Sequence, residues 1–181
     1  MRKMVKITIA LSLLVILFIV ISKANQTSNE VEIKKSMVKT DSKKLPLFEF
    51  YTLDSIPFSK YDLNKDKNLV LIYFDPDCSL CEKSGEVFYS FKKIHEPSQV
   101  IFVSHNSNHK IIQYQKKFKL DNVPNITFLR CNEADFFTLF KESSTPTYFI
   151  YNKNQELMKV INDDVPVKTI LRYIKAGQID K

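Results

Sequence analysis

Cysteine is scarce in this 181-residue sequence: there are three, an odd number. A disulfide framework would use more cysteines in a smaller chain. A four-ligand zinc site would need a second Cys or His pair at matching spacing. No internal repeat is present. A basic stripe with interleaved aromatics is missing too. The net charge is +7, but Arg2, Lys3, Lys6 and Lys23 supply four of those charges and no acid falls in residues 1–24, which leaves +3 for the remainder. Its lysines are scattered among acids, which reads as a solvated surface and argues against a nucleic-acid partner.

One long apolar run is there. Ile7 to Ile21 carries no charge, is preceded by basic residues and is followed by Lys23. This is the layout of a secretory signal or a signal anchor. As a helix the run spans roughly 22 Å, short of the ~30 Å hydrocarbon core. Met4, Val5 and a snorkelling Lys6 would extend it. Ser22 and Ala24 are small and two apart, as at a cleavage site, and no neighbouring Cys marks a lipoprotein. Residues 1–24 are therefore expected to be a signal anchor or a signal peptide. Both place the rest of the chain outside the cytoplasm. The protein would sit in the cell envelope, either as a single-pass inner-membrane protein held through residues 7–21 or free in the periplasm after cleavage. Residues 25–44 are polar and read as a linker.

Residues 45–181 read as one domain. Leu47–Leu53 and Ile56–Phe58 are β-prone runs around Asp54-Ser55, an expected hairpin. Leu69 to Phe74 is a continuous apolar run that fits a strand buried on both faces. Helical spacing follows over Ser79–Ile94, ended by Pro97. A strand over Val100–Val103, a helix over His109–Phe118, a strand over Ile126–Leu129 and a short helix over Asp135–Lys141 come next. Thr147–Tyr151 and Glu156–Ile161 flank an Asn-rich turn, a second hairpin. Val165–Ala176 closes the chain as a helix, with Pro166 in its first turn and Gly177 as its cap. The alternation predicts an α/β fold, a mixed central sheet with helices on both faces and an N-terminal β-hairpin.

The chemistry concentrates at Asp75-Pro76-Asp77-Cys78-Ser79-Leu80-Cys81, where the buried strand turns into a helix. Strand ends in α/β sheets are ligand sites. A helix N-terminus offers free N–H groups and partial positive charge, which stabilise a thiolate. Cysteines at this spacing are close enough to form a disulfide. Cys78 is the expected nucleophile and Cys81 the resolving thiol. A structural disulfide here would close a tiny loop and constrain little. The chemistry needs no metal and no cofactor beyond a redox-active Cys78–Cys81 disulfide.

Leu69 to Cys81, followed by Ser144-Thr145-Pro146-Thr147 before a strand, resembles thioredoxin-like proteins. The leading hairpin and the extra strand and helix between Val123 and Lys141 are similar to the TlpA-like and AhpC/TSA-type branch. The resemblance implies that Pro146 is a cis-proline facing the cysteines and that Thr145 offers its backbone to an extended substrate. It also implies uses such as cytochrome c maturation or envelope disulfide repair. Two positions depart from the pattern. Asp77 stands where the family usually has Trp, a residue this chain lacks. Ile72 stands where many thioredoxins bury an acid.

The expected function is thiol–disulfide exchange on protein thiols and disulfides. Asp75 and Asp77 flank Cys78 with negative charge, which disfavours a thiolate, so the pair is expected to reduce rather than to oxidise strongly. A reducing pair would need a membrane electron donor. Three alternatives stand beside it: a thiol peroxidase, disfavoured by the sign of those acids; a soft-metal carrier; and a binding module that has lost turnover. Cys131 is expected to be a leftover, partly buried thiol, with a second redox partner or an intermolecular disulfide as the sharper option. His105 and His109 have ligand spacing but straddle a loop-like Asn-Ser-Asn.

Overall fold

A computed structural model describes residues 43–90, 98–162 and 166–179. The apolar run 7–21, most of the linker and the helix end expected at Ile94 lie outside them. Among the described residues no helix is long and apolar enough to cross a membrane.

The described elements follow the expected order. β1 (Glu49–Thr52) and β2 (Pro57–Ser59) form the first hairpin, followed by a 3-10 turn over Lys60–Asp62. Then come β3 (Asn68–Tyr73), α1 (Ser79–Ser90), β4 (Ser98–Ser104), α2 (Asn108–Lys117), β5 (Ile126–Arg130), α3 (Glu133–Phe140), β6 (Thr147–Tyr151), β7 (Leu157–Asn162) and α4 (Val167–Ile179). The strands make one sheet in the order β2-β1-β5-β4-β3-β6-β7. β3 and β5 run parallel to β4, whereas β6 runs antiparallel to β3. The sheet is therefore mixed, as the pattern of strands and helices predicts.

Every residue of β3 is buried. The strand has neighbours on both edges and is covered on both faces, which is why it carries no polar alternation. Val70 and Ile72 face one core with Phe88 of α1, Ile111 and Tyr114 of α2, and Ile170 and Ile174 of α4. Leu69, Leu71 and Tyr73 face the other core with Phe136 of α3 and the N-terminal residues Leu45, Phe48 and Phe50. Each fully buried side chain of this size contributes roughly 1.5–3 kcal/mol.

One local expectation is corrected, and one element goes beyond the expected set. Gly177 does not cap the last helix, because α4 continues through it to Ile179. Glycine costs about 1 kcal/mol inside a helix, and α4 is held by buried Ile170 and Ile174. The 3-10 turn after β2 had no apolar periodicity to announce it. It is held by a capping box: the Asp62 carboxylate accepts from the Ser59 N–H at 2.8 Å, and the Ser59 hydroxyl accepts from the Tyr61 N–H.

Candidate active site

Cys78 sits where β3 gives way to α1. Its carbonyl accepts the first intrahelical bond, from Glu82 N–H at 3.1 Å, so Cys78 is the helix cap. Phe74 continues the strand's pairing, its N–H donating to Val103 O at 3.0 Å. Three residues then carry the chain out of the sheet and into the helix. The Cys78 N–H donates to Asp75 O at 3.1 Å, and the Asp77 N–H to Asp75 Oδ1 at 2.9 Å. These bonds hold the turn in shape.

The three cysteines are free thiols in unequal settings. Cys78 is partly exposed, whereas Cys81 is buried among Ile72, Phe88 and Phe102. Burial pushes the Cys81 thiol up to about 12, and the neighbouring Cys78 adds to the rise. The Asp75 N–H, which donates to Cys81 Sγ at 3.5 Å, opposes it. Ile72 supplies no acid beneath the sulfurs.

Thr145 and Pro146 reach the same place from β6. The Thr145–Pro146 peptide bond is cis. The Cys78 thiol donates to the Thr145 carbonyl at 3.7 Å, so all four residues singled out in the sequence converge. Glu142 braces the approach to this proline. Its Oε1 accepts from Ser143 N–H at 2.9 Å, Ser144 N–H at 3.0 Å and the Ser144 hydroxyl at 2.8 Å, and Asn162 donates to Oε2. These donors, the Ser144 amide first, hold its carboxyl down to about 2.

The acidic rim is not bare. Lys110 of α2 pairs with Asp77 at 2.5 Å. Asp75 accepts from the Asn106 side-chain amide at 3.2 Å. The Tyr114 hydroxyl donates to Cys81 O at 2.5 Å. Sequence reasoning missed Lys110, Asn106, Tyr114 and Glu142. The first three lie 31 to 33 residues from their partners, beyond any local spacing signal.

Cys131 is far from this arrangement in packing terms. It lies at the end of β5 in the opposite core, and burial pushes its thiol up to about 12. His105 bonds through Nδ1 to the Tyr73 hydroxyl at 2.8 Å, and His109 stands on α2. Among the described residues no group of three or more His, Cys, Asp or Glu could hold a metal ion.

No family model matches the sequence, and no curated protein matches it. Solved structures do resemble the fold. A secreted Mycobacterium tuberculosis disulfide oxidoreductase homologous to E. coli DsbE is 15% identical with a TM-score of 0.61, over 71% of this chain and 95% of that one. The pneumococcal exposed lipoprotein thioredoxin of Streptococcus pneumoniae is 20% identical with a TM-score of 0.58, over 72% and 98%. A putative thioredoxin of Neisseria meningitidis is 20% identical with a TM-score of 0.62, over 78% and 93%. The fold is therefore thioredoxin-like.

Proposed function

We propose that this thioredoxin-like chain is a thiol–disulfide oxidoreductase that reduces protein disulfides outside the cytoplasm through Cys78 and Cys81. The observation that carries the reading is the unequal burial of the pair at a helix start: one sulfur within reach of solvent, the other behind it. The Cys78 thiolate attacks one sulfur of a substrate disulfide, and the other sulfur leaves as a thiolate. Cys81 then attacks the Cys78 sulfur, closing the Cys78–Cys81 disulfide and releasing the second substrate thiol. The substrate gains two electrons and two protons, and a membrane-borne thiol donor must reduce the pair again. No metal or further cofactor takes part.

Thr145 and Pro146 flank the nucleophile and form the surface on which an extended substrate lies. The charged leader and apolar run 7–21 support export, with the chain either anchored in the inner membrane or released to the periplasm. Resemblance in fold to a secreted oxidoreductase and to an exposed lipoprotein agrees with that placement.

The test is insulin reduction by dithiothreitol with and without the protein, paired with the pair's potential against glutathione. Wild type is expected to accelerate precipitation and Cys78→Ser to match buffer alone. Equal rates for wild type and Cys78→Ser overturn the enzyme reading. A potential near that of strong periplasmic oxidants, about −120 mV, overturns the reducing direction.

A further inference from the structure

Asp75 engages the two cysteines, their turn and the loop after β4 through its N–H, its carbonyl and one carboxylate oxygen. Its N–H donates to Cys81 Sγ at 3.5 Å, and its carbonyl accepts from the Cys78 N–H at 3.1 Å. Oδ1 accepts twice, from the Asp77 N–H at 2.9 Å and from Asn106 Nδ2 at 3.2 Å. The first of these lies within the turn. The second comes from a different part of the fold, the loop between β4 and α2. Asn106 is itself tied to the sheet, its N–H donating to Oγ of buried Ser104 at 3.2 Å. A line of bonds thus runs from the end of β4 through Asn106 and Asp75 to the sulfur of Cys81.

That sulfur relies on its donors, the Asp75 N–H first and the Thr145 side chain after it. Its core neighbours Ile72, Phe88 and Phe102 are apolar. The titratable groups around it are Cys78, Tyr114, which bonds its carbonyl, and Asp75, whose Oδ1 is engaged by Asn106 and Asp77. The Asp77–Lys110 pair lies further out on the rim, exposed. An N–H aimed at a developing thiolate stabilises it without bringing a negative charge near.

We infer that Asn106 is a positioning residue for the second step of exchange: by holding the Asp75 carboxylate, it keeps the Asp75 N–H on the Cys81 sulfur. This rests on the thiol–disulfide reading above. In that step Cys81 loses its proton and its electron pair forms the bond to Cys78 Sγ. The Cys78–substrate bond breaks, its electron pair leaves on the substrate sulfur, and that sulfur takes up a proton. Asn106 touches neither sulfur and acts only through Asp75.

The experiment separates the two steps. Reduced full-length protein is mixed with 5,5′-dithiobis(2-nitrobenzoate) in a stopped-flow instrument at 412 nm. Attack by Cys78 releases the first nitrothiobenzoate, and resolution by Cys81 releases the second. Asn106→Ala is expected to leave the first phase within about twofold and to slow the second about tenfold. Asn106→Asp keeps the shape without the donor and should slow the second phase as well. Asp75→Ala should behave like Asn106→Ala. Asp75→Asn keeps the acceptor oxygen and should resolve at the wild-type rate.

A wild-type second phase in both Asn106 variants overturns the inference, as does an Asp75→Asn variant as slow as Asp75→Ala. A protein with no Cys78-dependent first phase overturns the underlying reading instead. The two failures are distinguishable in the same traces.

Discussion

Tyr114 on α2 donates its hydroxyl to the carbonyl oxygen of Cys81 on α1, 2.5 Å away in a buried site. The bond ties the resolving cysteine's turn to a second helix, and Tyr114 also packs on Phe74, Phe102 and Phe118. Tyr114→Phe keeps the packing and deletes the bond. The expected loss is about 1 kcal/mol, typical of one net hydrogen bond, seen as a lower denaturation midpoint with unchanged slope. A midpoint equal to wild type would show that the bond contributes nothing net.

Gly85 faces the same contact from α1. A Cβ there would stand 2.5 Å from Phe118 Cγ, 2.6 Å from Phe118 Cδ2 and 2.9 Å from Tyr114 Oη. Alanine improves helix propensity by about 1 kcal/mol, but overpacking of this kind costs roughly 1–3 kcal/mol. Gly85→Ala is therefore expected to be net destabilising by about 1 kcal/mol in chemical denaturation. A stabilised variant would mean that α1 and α2 separate readily.

Lys110 offsets Asp77 next to the nucleophile, and both are well exposed. Its removal leaves a bare carboxylate facing any reagent that approaches Cys78. Lys110→Ala should slow alkylation by anionic iodoacetate more than by neutral iodoacetamide, lowering the rate ratio about two- to threefold at low salt. At 1 M salt, where the Debye length is about 3 Å, the ratio should return to the wild-type value. A ratio that stays unchanged at low salt would mean that solvent already screens Asp77.

What was legible in the sequence was local. The apolar run of β3, the Cys-x-x-Cys at its end and the Thr145-Pro146 before β6 each announce themselves within a few residues. Together they place both sulfurs and the proline at one sheet end. Asn106, Lys110 and Tyr114 could not be read this way. Each acts across the β3–β4 crossover, and neither its type nor its spacing differs from an ordinary surface polar or core aromatic residue. Asp75 was legible only as a charge. Its role as an amide donor and a turn acceptor follows from backbone geometry, which composition does not encode. Gly177 shows the converse, a strong local stop signal overridden by α4 packing.

Glu142 ties acid stability to the proline loop. Its carboxyl is held at about 2 against an ordinary 4.5. A depressed folded value adds stability above pH 4.5, and that stability is lost as pH falls from 4.5 toward 2. Glu142→Gln should therefore be less stable than wild type at pH 7, with the gap closing through that window. Melting temperatures taken from pH 6 to 2.5 check this. A gap constant with pH would show that the bonds matter but the charge does not.

The buried thiols set the opposite limit. Cys81 and Cys131 are held at about 12, against 9.0 in an unfolded chain. The folded state keeps its protons longer, so this contribution is whole below pH 9 and is lost as pH rises from 9 toward 12. Each thiol lowers stability by at most about 1.4 kcal/mol per pH unit in that range. Burial also raises Tyr73, Tyr114 and Tyr151 from 10.0, and their share of the slope grows as pH approaches 10. Around pH 9 the cysteines therefore supply most of the slope. Of the forms compared, reduced wild type should lose stability fastest there. Cys131→Ala should lose it about half as fast, and so should the protein with Cys78 and Cys81 oxidised, since a disulfide has no proton to lose. Oxidised Cys131→Ala should keep only the tyrosines' smaller slope. If oxidation left the slope of wild type unchanged, Cys81 would not be the desolvated thiol that its surroundings make it.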